Sequence, residues 1–119
     1  MKTQPVPSVS RADVVRIVRR DFPQVAEVTL LAILDDYGAA DWQRERDRVQ
    51  LAILKLAAGN LDALKHYVEM ACGDYRDVLA YAEYPGYFKL GLSTPAASAE
   101  RDRIFEADWD QYSEWLARP

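Results

Sequence analysis

Apolar residues along this chain recur at helical spacing, in blocks separated by the proline, glycine and short polar residues that start and stop helices. Ser10 with Asp13 three residues on forms an acidic variant of the capping box, and Val14, Val15, Ile17 and Val18 supply an apolar face up to Phe22, which predicts a first helix. Pro23 suits a first helical position, so a second helix is predicted from about Pro23 to Tyr37, ended by Gly38. Asp41 is placed to cap a third helix running from Trp42 to about Ala58. Between Val49 and Ala58 only Gln50 and Lys55 are polar, the pattern of a helix surrounded by others.

Gly59 ends that helix and Asn60 caps a fourth, with Leu61, Leu64, Val68 and Ala71 on one side. Gly73 is predicted to interrupt it before Asp74 restarts a short helical stretch to about Glu83. Tyr84, Pro85 and Gly86 then turn the chain, and residues 87–93 are read as a loop. Thr94 or Ser98 opens a last helix whose stripe is Phe105, Trp109, Tyr112 and Leu116, flanked by Ile104 and Trp115. Short connections favour antiparallel neighbours, so the expected fold is all-α: a compact up-down bundle of about five helices with no sheet. Residues 1–9, with Pro5 and Pro7, are expected to form a flexible tail, and residues 10–119 a single domain. Leu-Ala-Ile-Leu occurs at 31–34 and again at 51–54, but one repeat of common helix formers does not establish a duplication.

Composition narrows the picture. With 119 residues the chain has room for one domain, and 50% hydrophobic with 29% charged residues is enough for a core and a wetted surface. The longest unbroken apolar run is Leu30 to Leu34, far short of the roughly 20 residues a membrane-spanning helix needs, and Met1 to Pro7 lacks a signal-like stretch. A soluble, cytoplasmic protein without a membrane role is expected. Cys72 is the single cysteine and His66 the single histidine, which excludes an intramolecular disulfide and leaves a zinc site short of ligands. The five glycines contain no Gly-x-Gly and none precedes Lys-Ser or Lys-Thr, so no phosphate loop is read. No cofactor and no metal are expected.

Two segments, Arg48-Val49-Gln50-Leu51-Ala52-Ile53-Leu54-Lys55-Leu56-Ala57-Ala58-Gly59 and Asp74-Tyr75-Arg76-Asp77-Val78-Leu79-Ala80-Tyr81-Ala82-Glu83-Tyr84-Pro85, resemble small helical bacterial proteins of no assigned function. The resemblance covers a third to half of the chain and carries no chemical motif. It implies a bacterial or phage source, and no functional residue is transferred by it.

Several groupings have some chemical capacity. His66 has Asp62 one turn before it and Glu69 three residues after it, but the apolar positions of that helix turn all three outward, where they read as a solvated face. Cys72 has no acid or second histidine at a recognisable spacing and reads as a structural thiol. Arg16, Arg19 and Arg20 share one face of the first helix and could track phosphates. The net charge of −4 argues against duplex nucleic acid, and the acidic last helix offers these arginines partners within the chain. Tyr81, Tyr84 and Tyr87 surround the Pro85-Gly86 turn with Asp77 and Glu83 nearby, and tyrosine among charges is the composition of an interface hot spot.

The leading expectation is a non-enzymatic protein-interaction module, an adaptor or an inhibitor of the immunity type, presenting Asp77, Tyr81, Glu83, Tyr84 and Tyr87 to a protein partner. The alternative is a nucleic-acid-associated regulator using Arg16, Arg19 and Arg20. The pattern leaves homo-oligomerisation open.

Overall fold

The computed structural model describes residues 7–40, 43–87 and 98–119. Its helices are α1 (Arg11–Asp21), α2 (Glu27–Leu34), α3 (Arg46–Ala57), α4 (Leu61–Glu83) and α5 (Ser98–Ala117), and residues 85–87 are helical as well. Among the described residues there is no strand, so the fold is all-α. The expected cap Asp41, the start at Trp42, the opening at Thr94, residues 1–6 of the tail and residues 88–93 of the expected loop lie outside the described residues.

The Ser10–Asp13 box forms as expected, with the Ser10 backbone N–H donating to Asp13 Oδ2 at 2.9 Å. Of the residues expected in the tail, Pro7 is buried and Val9 packs against the core. Pro23 does not open α2. The Val25 N–H instead donates to the Phe22 carbonyl at 3.2 Å, a tight turn with proline at its second position, and Phe22 is buried beneath it. Proline's fixed φ suits both roles, and the chain reversal selects the turn.

The start of α3 is also later than expected, because Gln43–Glu45 are not helical. Gln43 Oε1 accepts from the N–H groups of Gly38 (2.7 Å) and Ala40 (3.0 Å), and the Tyr37 hydroxyl donates to the Arg44 carbonyl at 2.7 Å. These bonds hold the loop in place of a helical turn. The far end of α3 stops where Ala58 (φ 49) and Gly59 (φ 80) both turn left-handed.

Asn60 caps α4 by accepting from the Ala63 N–H at 2.9 Å. The interruption expected at Gly73 is a kink one residue later, where Asp74 is extended (φ −152, ψ 100) inside an otherwise continuous helix. Its carboxylate accepts from the Arg76 N–H at 3.1 Å and so caps the second half.

The start of α1 meets the end of α2 and the start of α3, because Arg11 bonds Asp35 and Gln50, while the end of α1 meets the start of α2 through Arg19 and Glu27. The end of α4 returns to the start of α3 through Glu83 and Arg48. Helices α1 to α4 therefore alternate up and down. Helix α5 closes the bundle, with Gln111 reaching the Ala82 carbonyl and the last turn receiving Arg16 and Arg20.

The core is centred on α3, whose Val49, Leu51, Ala52, Ile53 and Leu54 are fully buried, and it includes Ile17, Leu30, Leu34, Tyr37, Leu64, Val78 and Tyr112. Gln50 is buried with them. Its amide nitrogen donates to the Leu34 and Tyr37 carbonyls and to Asp35, each at 3.1 Å, and its oxygen accepts from Arg11 at 2.7 Å. A polar side chain inside a core costs free energy unless its donors and acceptors are satisfied, and here they staple α1, α2 and α3 together.

Candidate functional site

The tyrosine turn follows from the way α4 ends. Tyr84 leaves the helix (φ −129, ψ 50), and Pro85-Gly86-Tyr87 starts a helical segment whose exposed N–H groups need an acceptor. Asp108 on α5 supplies it. The Gly86 N–H donates to Oδ1 at 3.0 Å and the Tyr87 N–H to Oδ2 at 2.9 Å, so a buried carboxylate from another helix serves as the cap. A methyl group on Gly86 would sit 2.8 Å from Asp108 Oδ1 and 3.3 Å from Ile104, which is why glycine occupies that position.

The side chains of the turn are largely turned inward. Tyr87 stacks on Phe105 with ring centres 4.2 Å apart, and Tyr84 meets the edge of the same ring at 6.3 Å. Glu83 is only 2% exposed and accepts from Arg48 through both oxygens, at 2.6 and 2.8 Å. Glu83 is therefore not presented at the surface as expected, because its carboxylate is consumed inside the fold. The Glu83 contact raises Arg48 further above its already high pKa, and Arg48 also binds Glu45 at 2.7 Å and touches the Tyr84 hydroxyl at 3.3 Å. Burial, with Glu83 close by, pushes the Tyr84 hydroxyl up to about 12. Tyr112 lies beside this group, 1% exposed, and its hydroxyl has no hydrogen-bond partner among the described residues. Of the expected cluster, Tyr81 (43% exposed) and Asp77 remain at the surface, one turn apart on α4.

The arginine face is also engaged within the molecule. Arg16 donates to the carbonyls of Leu116 and Arg118, Arg20 donates to those of Trp115 (2.6 Å) and Arg118 (2.8 Å), and Arg19 pairs with Glu27. The partners on α5 are backbone carbonyls, not the acidic side chains expected from the sequence. A helix C-terminus concentrates partial negative charge on its unpaired carbonyls, and two arginines satisfy it here. Arg20 also lies over the Trp115 ring at 5.2 Å and pairs with Asp21 at 2.8 Å. This leaves the nucleic-acid alternative without an uncommitted basic face on α1.

The C-terminal ends of α1, α3 and α5 converge around a cleft of about 750 Å³ lined by Arg20, Asp21, Lys55, Gly59, Gln111, Glu114, Trp115 and Arg118. Among the described residues Lys55 has no ion-pair partner, and burial pulls its ammonium below the usual lysine range against the opposing field of Asp108. Three helix C-termini favour cations at this end, so the lysine and arginines there counter the carbonyls. His66, Asp62 and Glu69 are exposed on α4 as read, and among the described residues no cluster of histidine, cysteine and carboxylate side chains could hold a metal ion. Cys72 is half-buried and lies 3.7 Å from the Asp36 carbonyl. No helix is long and apolar enough to cross a membrane, among the residues described.

One surface was missed at the sequence level. Helix α2 is apolar but for Glu27 and Thr29, with Leu30 and Leu34 facing the core and Val28, Thr29 and Ala32 exposed on the outward side. Val28 is 76% exposed. The signal was present in Val28-Thr29-Leu30-Leu31-Ala32-Ile33-Leu34, but it reads as a helix buried on all sides, as α3 is. Comparison with known protein families, with curated proteins and with solved structures returns no match.

Proposed function

We propose that this chain is a non-enzymatic protein-interaction module, an adaptor or an inhibitor of the immunity type, and that its docking surface is the outward face of α2. The observation that carries this reading is Val28, an aliphatic side chain 76% exposed on a helix whose inner face is already seated in the core. An aliphatic side chain left outward on a helix stays exposed to water until another surface covers it. Tyr81 and Asp77 are the surviving part of the tyrosine turn and form a second, smaller contact in this proposal. The net charge of −4 favours a basic partner over an acidic one.

The test is a photo-crosslinking amino acid placed at Val28, and separately at Tyr81, in the source cell. A nuclease-insensitive protein adduct at Val28 is expected. Absence of any protein adduct at both positions, with the variants folded, overturns the proposal.

A further inference from the structure

Most charged groups around the cleft where α1, α3 and α5 end are committed within the fold. Arg20 donates to the Trp115 and Arg118 carbonyls at 2.6 and 2.8 Å, pairs with Asp21 at 2.8 Å and lies over the Trp115 ring. Asp108 gives its two carboxylate oxygens to the Gly86 and Tyr87 N–H groups. Two cations of the cleft differ. The Lys55 ammonium, half-buried on the last turn of α3, and the Arg118 guanidinium, exposed beyond the end of α5, have neither a hydrogen bond nor an ion pair among the described residues. Burial lowers the Lys55 pKa most, Asp108 opposes that, and Arg118 lowers it further, so the two cations are near enough to repel. Arg118 is pinned through its backbone, whose carbonyl accepts from Arg16 at 2.9 Å as well as from Arg20.

Two like charges facing one space are a local reversal in a chain of net charge −4. Glu114, the remaining acid of the lining, stands exposed and pairs with neither of them among the described residues. An anion between the two cations removes their repulsion and gains a charge-assisted contact with each. We infer that this cleft binds a phosphate group, free or as the monoester of a small alcohol, between Lys55 of α3 and Arg118 beyond α5. Charge and shape choose the class. A phosphate carries about −1.5 to −2 at neutral pH, which matches two cations, and its oxygens point several ways, so one group faces donors from two helices. A single carboxylate leaves one cation unmatched. The volume of about 750 Å³ is that of a small-molecule site, and the floor at Ala58 and Gly59 has room for the rest of a monoester. The three helix C-termini and Glu114 subtract from the attraction, so an affinity in the region of about 1 mM is expected. Nothing in this site involves α2, and it stands or falls separately from the docking surface.

Titration of the nitrogen-15-labelled full chain with inorganic phosphate, and separately with glycerol phosphate, tests this by NMR at constant ionic strength. Saturable shifts centred on Ala58, Gly59 and the Trp115 indole are expected, with acetate and succinate binding at least about tenfold more weakly. Lys55→Gln and Arg118→Gln are each expected to weaken phosphate binding by about tenfold, as loss of a hydrogen bond to a charged group does. Arg118 is exposed, so its substitution decides the matter should Lys55→Gln disturb the fold. Lys65→Gln removes an exposed charge from α4 outside the cleft and is expected to leave the affinity unchanged.

Shifts that fail to saturate, or that a sodium chloride titration reproduces, overturn the site. So does an affinity unchanged by Arg118→Gln or by a folded Lys55→Gln, and so does one lowered equally by Lys65→Gln, which would be the effect of net charge. Acetate or succinate binding as tightly as phosphate overturns the choice of ligand. Glycerol phosphate binding more tightly than inorganic phosphate assigns the monoester, and equal affinity assigns the free ion.

Discussion

Arg48 and Glu83 face each other inside the bundle, with Glu83 2% exposed and Arg48 reaching three acceptors at once. Removing one partner strands the other's charge away from water, so Arg48→Met or Glu83→Leu is expected to cost about 3–5 kcal/mol, while the double replacement recovers most of that loss. Urea denaturation of the single and double variants measures both. Asp35 behaves differently because it is only partly buried. Its burial works to raise the carboxyl pKa, but hydrogen bonds from Arg46, Arg11 and Gln50 outweigh that and hold it below the ordinary range. A depressed carboxyl contributes stability that is complete above the unfolded-state value and is lost as pH falls through the folded one. The urea midpoint is therefore expected to fall once pH drops below about 4, and Asp35→Asn to flatten that decline while lowering stability at neutral pH. At the alkaline end the sign reverses. Tyr37 and Tyr84 are both raised to about 12, chiefly by burial, so the stability they contribute is intact below pH 10 and declines between there and 12. None of these partners could be read from the chain, since Arg48 and Glu83 are 35 positions apart and neither stands out by residue type.

The existence and order of the helices were legible because apolar spacing and caps are local properties, and Ser10, Asn60 and Gly59 act where the pattern places them. The starts of α2 and α3 were not legible, because Pro23 and Gln43 each have a helical and a turn role and only the packed chain chooses between them. Helix α3 ends at Ala58, an exposed non-glycine residue at φ 49, a conformation that crowds its Cβ. Ala58→Gly is expected to stabilise the protein by about 0.5–1 kcal/mol through relief of that crowding, partly offset by the freer unfolded chain. Two other glycines make opposed forecasts. A Cβ on Gly73 meets nothing within 4 Å, so Gly73→Ala is expected to be neutral or stabilising, whereas Gly86→Ala drives into the Asp108 carboxylate and loosens the cap on the turn. Thermal melts of the pair separate a position that glycine merely occupies from one that requires it.

At the scale of the whole molecule, the all-α fold and its central α3 followed from the density of apolar residues between Val49 and Ala58. The candidate site followed only in part. Tyrosine beside charge has the same signature in an interface and in a packed corner, and the structure folds Glu83, Tyr84 and Tyr87 into the corner while leaving Tyr81 and Asp77 outside. The uncovered α2 face was hidden for the converse reason, since an apolar helix looks the same in sequence whether or not a neighbour covers it. The arginines of α1 show how far a charge pattern can mislead about its partner. Arg20→Ala is expected to release the last turn of α5 before the core yields, seen as faster amide hydrogen exchange over residues 112–118 with little change near α3. Arg16 and Arg20 grip main-chain carbonyls at positions 115, 116 and 118, and a carbonyl is the same whatever side chain its residue carries. Over evolutionary time these bonds leave positions 116 and 118 free to drift while holding the two arginines. Lineages that share this bundle should then keep Arg16 and Arg20 opposite a last turn of varied sequence, a contact that no correlated pair of substitutions would reveal.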